Sequence, residues 1–298
     1  MPKVSICIPT YNNVHEVERL LFSVFLQTYT DYEVVITDNS TNSEIEELID
    51  RLDDKRIHYV HNEKNLGHIG NWNKALTIAE GSYIKIMFSD DWFTYSDSLE
   101  KMVNLLEENQ EADFAFSNSM QVSKQESSER KLSPGFIPGL KGDWRYLFLG
   151  NEIGAPSDTI FRNKGMLFNE KRSWAADMEF YMRTLSKNPR FAYTTEPLIS
   201  IGLHEAQYTY SFSKKDMRRF NDHLYMYKKY RLWENDSCKD FFLREYLVKY
   251  GAGQKLIKEC RVDMADYIRA RLKYLWQDRV LVYVGAAGRK VGLWKEKK

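Results

Sequence analysis

Ser82-Tyr-Ile-Lys-Ile-Met-Phe-Ser-Asp-Asp91 is an apolar run that ends on two adjacent carboxylates. Ile84–Phe88 reads as a strand, and Asp90 and Asp91 fall where that strand meets a loop. Carboxylates held side by side there repel each other, and loss of water penalises both. The apolar residues before them and Trp92-Phe93 after them keep the pair from turning out to solvent. A divalent cation removes both penalties. Magnesium or manganese takes carboxylate oxygens and leaves positions for phosphate oxygens. The run therefore predicts a metal-bridged diphosphate site at the end of a buried strand.

Outward from this strand, the first part of the chain alternates between two periodicities. Val4–Pro9, Tyr32–Thr37, Ile57–Val60 and Ala112–Phe116 read as further strands. Between them Val17, Leu20, Leu21 and Val24, then Ile45, Leu48, Ile49 and Leu52, recur at helical spacing, and Trp72–Ala79 and Leu99–Leu106 read as helices. Such alternation predicts an α/β fold, a Rossmann-like and mostly parallel sheet flanked by helices. In open sheets of this kind ligands bind beyond the carboxyl ends of the strands. The polar clusters stand there: Thr10-Tyr-Asn-Asn13, Asp38-Asn-Ser-Thr41, Asn62 to Gly70, and Ser89-Asp-Asp91. Four strand ends converging on one crevice make a site without any single motif carrying it.

A chain of 298 residues permits one large domain, or one domain with an appendage. Cys7, Cys238 and Cys260 form no CxxC pair, which disfavours a disulfide or zinc framework. The apolar start is too short for a signal peptide, and no run approaches the ~18 apolar residues of a membrane span. A cytoplasmic location is the expectation, with no nucleic-acid partner. Residues 120–172 hold Pro134, Gly135, Pro138, Gly139, Gly142 and Gly154 and read as loops. Asp177–Leu185 reads as a short helix, followed by a strand near Phe191–Thr194. From Lys214 onward helical spacing dominates, through Met217, Phe220, Leu224 and Tyr227 and then Met264, Ile268, Leu272 and Leu275. Val280–Val284 is a late β-branched run, and Gly285-Ala-Ala-Gly288 is no nucleotide loop. From Lys214 there are 22 Lys+Arg and 11 Asp+Glu, a surplus of +11, against 21 and 31 before it, a deficit of −10. An acidic body with a basic end suggests two regions with different partners, the basic one suited to an anionic surface such as a membrane leaflet.

Asp38 offers a carboxylate that can accept the imide N–H of uracil or thymine, or the N1–H of guanine. Cytosine presents an acceptor there, and the unmatched pair would cost ~1–3 kcal/mol. Asp-Asn-Ser-Thr is also good turn and capping chemistry. The segment Asn65-Leu-Gly67-His-Ile-Gly70-Asn-Trp-Asn73 precedes a helix, and free amides at a helix start suit phosphate. It is neither a Walker loop nor a dinucleotide fingerprint. Asp90 and Asp91 can divide labour, one on ribose hydroxyls and one on the metal.

Val4-Ser-Ile-Cys-Ile-Pro-Thr-Tyr-Asn12, Asp38, Asn65-Leu-Gly67 with Asn73, Ala79-Glu-Gly81-Ser-Tyr-Ile84 and Asp90-Asp91 resemble, in this order, the family 2 glycosyltransferases with their GT-A fold. The likeness covers residues 3–118 closely and extends loosely to about 210. It implies that Pro9, Thr10, Tyr11 and Asn12 line the nucleotide with Asn65, Gly67 and Asn73. It places Asp38 on the base, Asp90 on the ribose or sugar, and Asp91 on Mn2+ or Mg2+. One departure is Phe88, where many members carry a further Asp. The family also sets a catalytic carboxylate at the start of a later helix, which Trp174-Ala-Ala-Asp177-Met-Glu179-Phe-Tyr-Met-Arg183 resembles. Glu179 has Arg183 at i+4 as a structural partner, so Asp177 is the expected base, with Asp158 a distant alternative. His204, in Gly202-Leu-His204, could bond the diphosphate or supply the missing ligand.

These expectations describe an inverting, metal-dependent glycosyltransferase. It would move a sugar from a nucleoside-diphosphate donor, UDP-linked, to a saccharide or lipid-linked saccharide acceptor in surface-polysaccharide synthesis. Residues 1–118 would bind the donor, 119–213 the acceptor and base, and 214–298 would form a basic helical extension able to touch a membrane. The alternatives are a sugar-nucleotide-forming nucleotidyltransferase and a non-catalytic nucleotide-sugar-binding module. The first would normally need a basic glycine-rich loop after the first strand, and no Lys or Arg lies between Val4 and Glu18.

Overall fold

Strand β1 (Val4–Thr10) and strand β2 (Tyr32–Asp38) are buried along their whole length, as strands covered by helices on both faces must be. The computed structural model describes residues 2–204 and 216–276. Helix α1 (Val14–Phe25) buries Val17, Leu20, Leu21 and Val24, the i, i+3, i+4, i+7 stripe of its sequence. Helix α2 (Glu44–Leu52) buries Ile45 and Leu48 and leaves Leu52 exposed at its end. Strand β3 (Ile57–His61) closes the edge, helix α3 (Gly67–Ile78) follows, and strand β4 (Tyr83–Ile86) returns to the centre. Pairing is parallel throughout this part, in the order β3-β2-β1-β4. Its register sets Thr10 opposite Asp38 and Asp38 opposite His61, a row of polar residues across the carboxyl ends.

The sheet continues beyond β4 in mixed fashion. A two-residue strand β5 (Trp92–Phe93), helix α4 (Ser98–Glu107), strand β6 (Phe114–Val122) and strand β7 (Ser127–Glu129) come next. Helix α5 (Phe136–Gly142), strand β8 (Thr159–Arg162), helix α6 (Ala176–Lys187) and strand β9 (Ala192–Gly202) complete it. The sheet order runs on as β4-β8-β6-β9-β5. Strand β8 is antiparallel to both β4 and β6, and β9 runs parallel to β6. Strand β6 runs through residue 118, so the donor-side and later strands share one sheet.

Three local readings are corrected. Helix α3 starts five residues ahead of Trp72, at Gly67, whose left-handed φ of 71° makes the turn while its N–H donates to Asn65 Oδ1. Residues 136–142 are helical despite Pro138, which falls in the first turn where a missing N–H costs nothing. Gly139 there leaves room for the Tyr146 ring, which a Cβ would strike. Strand β6 reaches six residues past Phe116 because β9 pairs with it as far as Gly202.

The chain divides into two compact units, residues 1–212 and 213–298. The second holds α7 (Met217–Lys229), α8 (Asp236–Phe242), a π-helical turn at Leu243–Val248, α9 (Gln254–Glu259) and α10 over 264–276. Its core is aromatic: Tyr227 stacks on Phe242 at 4.1 Å and His223 on Tyr246 at 4.4 Å. Val280–Val284 and Gly285–Gly288 lie outside the described residues.

Burial holds His223 down at about 4 from its ordinary 6.5, so the folded state keeps the ring neutral. Between those values the unfolded chain takes a proton that the folded chain refuses, so this contribution is full above pH 6.5 and falls away toward pH 4. At about 1.4 kcal/mol per unit the whole window amounts to roughly 3 kcal/mol. Denaturant unfolding of the full chain should therefore lose on the order of 2 kcal/mol between pH 7 and pH 5. His223→Gln should flatten that loss, and an unchanged slope in the variant would refute the assignment.

Candidate active site

The crevice is assembled from strand ends tied together by buried amides. Asn39, Asn62 and Asn71 form the tie. Asn62 Nδ2 donates to Asn39 Oδ1 at 3.0 Å and to Asn71 Oδ1 at 2.8 Å. Asn71 Nδ2 donates to the carbonyls of Thr10 at 3.2 Å and Thr37 at 2.9 Å. Asn39 accepts from Leu66 N–H and donates to the Gly67 carbonyl. One short network thus fixes the ends of β1 and β2 against α3. Asn39 and Asn71 are satisfied on both their donor and acceptor sides, and Asn62 donates to both of them, which makes the buried polar network stabilising.

Asp38 lies fully buried within this frame. Its Oδ1 accepts from Thr10 Oγ1 at 2.9 Å, Ser40 N at 2.8 Å and the Ser40 hydroxyl. Its Oδ2 accepts from Tyr59 at 2.9 Å, with His61 Nδ1 at 3.7 Å. Pro9 and Thr10 end β1, and Tyr11 beyond them is exposed. Asn12 adopts a left-handed φ of 50°, donates its N–H to Ser40 Oγ at 2.7 Å and accepts from Thr41 N at 2.9 Å. Asn13 reaches across to the Ser89 hydroxyl, next to the acid pair. The structure therefore brings Pro9, Thr10, Tyr11, Asn12 and Asp38 together at adjacent strand ends. Asn65 and Gly67 lie at the start of α3, beside Asn39. Asn73 is turned elsewhere: its amide donates to the Phe168 carbonyl and Glu170, and accepts from Phe168 N–H. It pins the 168–170 segment to α3.

The two acids differ sharply. Asp90 keeps 22% of its side chain exposed, and its Oδ2 stands 3.1 Å from His204 Nε2. Its carbonyl accepts from Arg19, which also lies over the Trp92 ring at 4.0 Å. Asp91 is buried and takes the N–H of Gly202 at 3.2 Å and the hydroxyl of Ser157. Burial, then the neighbouring charge of Asp90, holds the Asp91 carboxyl well above the usual carboxylate range. Ser157 Oγ also accepts from Phe88 N–H at 2.9 Å. The Phe88 ring packs on Trp72 at 4.8 Å, filling with apolar contact the position where the family resemblance led us to expect an acid.

Beneath the acids lies a buried ion cluster that the sequence reading missed. Lys85 has no exposed surface, and its ammonium donates to the Ser157 carbonyl. Burial pulls it down to about 7 against the attraction of Asp158 and Asp91. Asp158 is pushed up to about 6, burial outweighing Arg130 and Lys85. Arg130 Nη2 meets Asp158 at 3.3 Å, and the same guanidinium gathers the carbonyls of Ser117, Glu152 and Ile153. Asp158, the alternative base, lies inside the protein, bound to Arg130.

Asp177 is the second residue of α6, in the first turn where the helix field favours a carboxylate. It does not cap the helix, a position held by Ala175. Its Oδ2 accepts from Asn151 Nδ2 at 2.9 Å, and Asn151 also donates to the Gly154 carbonyl. Glu179 is fully buried, 3.4 Å from Arg183, in the structural pairing expected from their spacing. The run of small polar residues at the strand ends was a readable signal for the amide tie. Arg130, Asn151 and Ser157 gave none, since their partners are distant in sequence.

The sequence model of the family "Glycosyl transferase family 2" matches residues 5–167. The Escherichia coli K12 protein WcaA, a putative colanic acid biosynthesis glycosyl transferase, is 26% identical over 77% of this chain and 82% of its own. WfaP of Escherichia coli, named as a UDP-Glc:alpha-D-GlcNAc-diphosphoundecaprenol beta-1,3-glucosyltransferase, is 31% identical over 40% of this chain and 46% of its own. Among solved structures, S. aureus TarS with UDP-GlcNAc superposes with a TM-score of 0.64 at 19% identity, over 90% of this chain and 79% of that one. The mannosyltransferase PcManGT from Pyrobaculum calidifontis, with GDP-Man and Mn2+, gives 0.56 at 16% identity, over 99% and 81%. The fold is therefore the GT-A type.

A Cβ on Gly202 would collide with the Asp90 carbonyl, so β9 meets the acid pair only because that residue has no side chain. Gly202→Ala should shift Asp90 and break the Asp91 contact, lowering kcat/KM for sugar transfer by about 100-fold, the scale of a 1 Å misplacement. Turnover at the wild-type rate in this variant would show that the close approach has no bearing on catalysis.

Proposed function

The chain belongs to glycosyl transferase family 2 and is a glycosyltransferase, and from that premise we propose that it works by inversion on a nucleoside-diphosphate sugar, UDP-linked, in cell-surface polysaccharide synthesis. The observation that carries the reading is the approach of Asp90 and His204, 3.1 Å apart beyond the carboxyl end of β4. Two ligands of one octahedral ion, each about 2.1 Å out, lie about 3 Å apart. Among the described residues no cluster of three or more His, Cys, Asp or Glu could hold a metal alone. A cation held there, Mn2+ or Mg2+, would take its remaining ligands from substrate phosphate oxygens and water. This differs from the roles read from the sequence, where Asp90 held the ribose or sugar and Asp91 the metal: here Asp90 with His204 would hold the ion, and Asp91 would anchor the corner from inside. When bound, the cation supplies neutralisation of the charge that gathers on the departing diphosphate.

The protein's own groups do the rest. Asp38 would accept the base N–H through Oδ2, the oxygen with the fewer partners, on the side of the exposed His61. Tyr11 and Asn12 would flank the nucleoside at the end of β1. Asp177, oriented by Asn151, would take the proton of the acceptor hydroxyl as that oxygen bonds to the anomeric carbon. The bond from that carbon to the phosphate oxygen breaks on the opposite face, and its electron pair leaves with the diphosphate. A single displacement inverts the centre, the one-step logic of inverting hydrolases with a sugar hydroxyl in place of water. UDP is favoured over GDP by the donors named for TarS and WfaP, and a lipid-linked saccharide acceptor by the name of WfaP.

Asp177→Asn should leave UDP binding by calorimetry within twofold and cut transfer at least 100-fold, the usual share of general-base catalysis. Wild-type turnover in that variant would remove Asp177 as the base. Asp90→Ala should raise the manganese needed for half-maximal UDP release by roughly ten- to hundredfold. Asp91→Ala should chiefly lower the unfolding midpoint. The opposite pattern would return the ion to Asp91.

A further inference from the structure

We infer that helix α10, over 264–276, lies flat on an anionic lipid surface and holds the enzyme there. Two faces of this helix are visible in the structure. Tyr267 is buried, and Ala270 and Tyr274 line a cleft with Leu243 and Val248 of the same unit, which makes i, i+3, i+7 the packed face. Ile268, Leu272, Leu275 and Trp276 recur at i, i+4, i+7 and i+8 on another face, and they are 50, 62, 47 and 67% exposed. An apolar stripe of this size on the solvent side is the inverse of what a water-facing helix shows. Arg269, Arg271 and Lys273 are exposed and interleave with it, against Asp266 alone among acids on the helix.

The chemistry selects one occupant. A protein groove would satisfy the apolar stripe, but it gives no reason for a stripe interleaved with cations. The headgroup region of an anionic bilayer takes both: the apolar side chains enter the acyl boundary while Arg and Lys stay at the phosphates. Trp276 suits that boundary, having an apolar ring and one polar N–H. Cations interleaved with the apolar stripe, at Arg269, Arg271 and Lys273, suit a helix lying along the headgroup boundary, where they reach the phosphates. The sequence that follows, residues 277–298, adds six Lys+Arg against two Asp+Glu, which strengthens the same attraction. The inference does not rest on the donor or acceptor proposed above, because it concerns a surface outside the catalytic unit and is tested without substrate.

The full chain should be sedimented with vesicles of phosphatidylcholine alone and of phosphatidylcholine with 30–50% phosphatidylglycerol (roughly the range where basic segments bind). Binding is expected to the anionic vesicles, to weaken in high salt, and to fall about tenfold or more in both Leu272→Ser/Leu275→Ser and Arg271→Gln/Lys273→Gln. Far-UV circular dichroism and the thermal unfolding midpoint should be unchanged in both variants, which certifies their folding. If the wild-type chain fails to sediment, or if the variants sediment as well as it does, the inference is overturned. It is equally overturned if Leu272→Ser/Leu275→Ser instead converts a dimer to a monomer in sedimentation velocity, since the stripe would then meet a second copy. A Trp276→Phe variant that keeps the full lipid-induced fluorescence shift would also count against it.

Discussion

Lys85 is a cation with no exposed surface, and the geometry of the site depends on how its charge is met. Removing one member of a buried ion pair typically costs 3–5 kcal/mol, because the remaining charge is left without water or partner. Here the match is distributed. Asp158 and Asp91 face Lys85 electrostatically, Arg130 offsets Asp158, and Ser157 offers its carbonyl to Lys85 and its hydroxyl to Asp91. These four groups meet in one largely buried cluster, from which only Arg130 reaches solvent, so moving Lys85, Asp91 or Asp158 would strand another. This is the physical reason that Asp91 is a poor candidate for an open metal ligand and a good one for a fixed point. It also fixes where Asp90 stands, since the two residues are adjacent and Asp91 is held from both β9 and the 156–158 turn.

The same cluster joins the two sets of strands. The parallel set β3-β2-β1-β4 carries the polar row from Thr10 to His61, and the mixed set carries Gly202 and the turn before β8. The acid corner is the place where both must meet, and the antiparallel insertion of β8 beside β4 makes that meeting possible. Gly202 then removes the last obstacle. The asparagine tie plays the matching part on the other side, holding β1, β2 and α3 with neutral groups where charge is to be kept for ligands. The proposed nucleotide site thus rests on two kinds of buried polar structure, one ionic and one amide.

Much of this was legible in the chain. Strand and helix alternation over the first 116 residues gave the elements and the edge at which ligands gather. Asp38 and the Asp90-Asp91 pair were visible because they stand where apolar runs end. Glu179 could be set aside because Arg183 is local to it. What escaped was non-local. Lys85 stood in the quoted strand, between Ile84 and Ile86, yet its partners are 6 and 73 residues away in sequence, and nothing nearby announces a buried ammonium. Both acids were read as unable to reach water; Asp91 is buried, but Asp90 keeps 22% of its side chain exposed, and the compensation was assigned wholly to an external cation when the chain supplies part of it. Phe88 was read as a missing ligand; in the fold it is a packing residue on Trp72. The 136–142 helix escaped because its prolines and glycines, loop-like in isolation, are accommodated by first-turn geometry and the Tyr146 ring.

The charge division of the chain acquires a physical sense from these points. An acidic first unit suits a catalyst that must hold cationic character only where a diphosphate is to leave, and whose exposed acids repel an anionic surface from the crevice's surroundings. A basic second unit reverses that sign. With opposite signs in one chain, the attraction to an anionic surface proposed above would act through the second unit, at +11 against −10 in the first. At physiological ionic strength such effects reach about 8 Å, so they steer orientation at close approach and not capture from afar. Screening by salt should therefore act on how long the protein stays on a surface more than on what its crevice can bind, because the ion cluster under Asp90 is buried and the charges of the second unit are not.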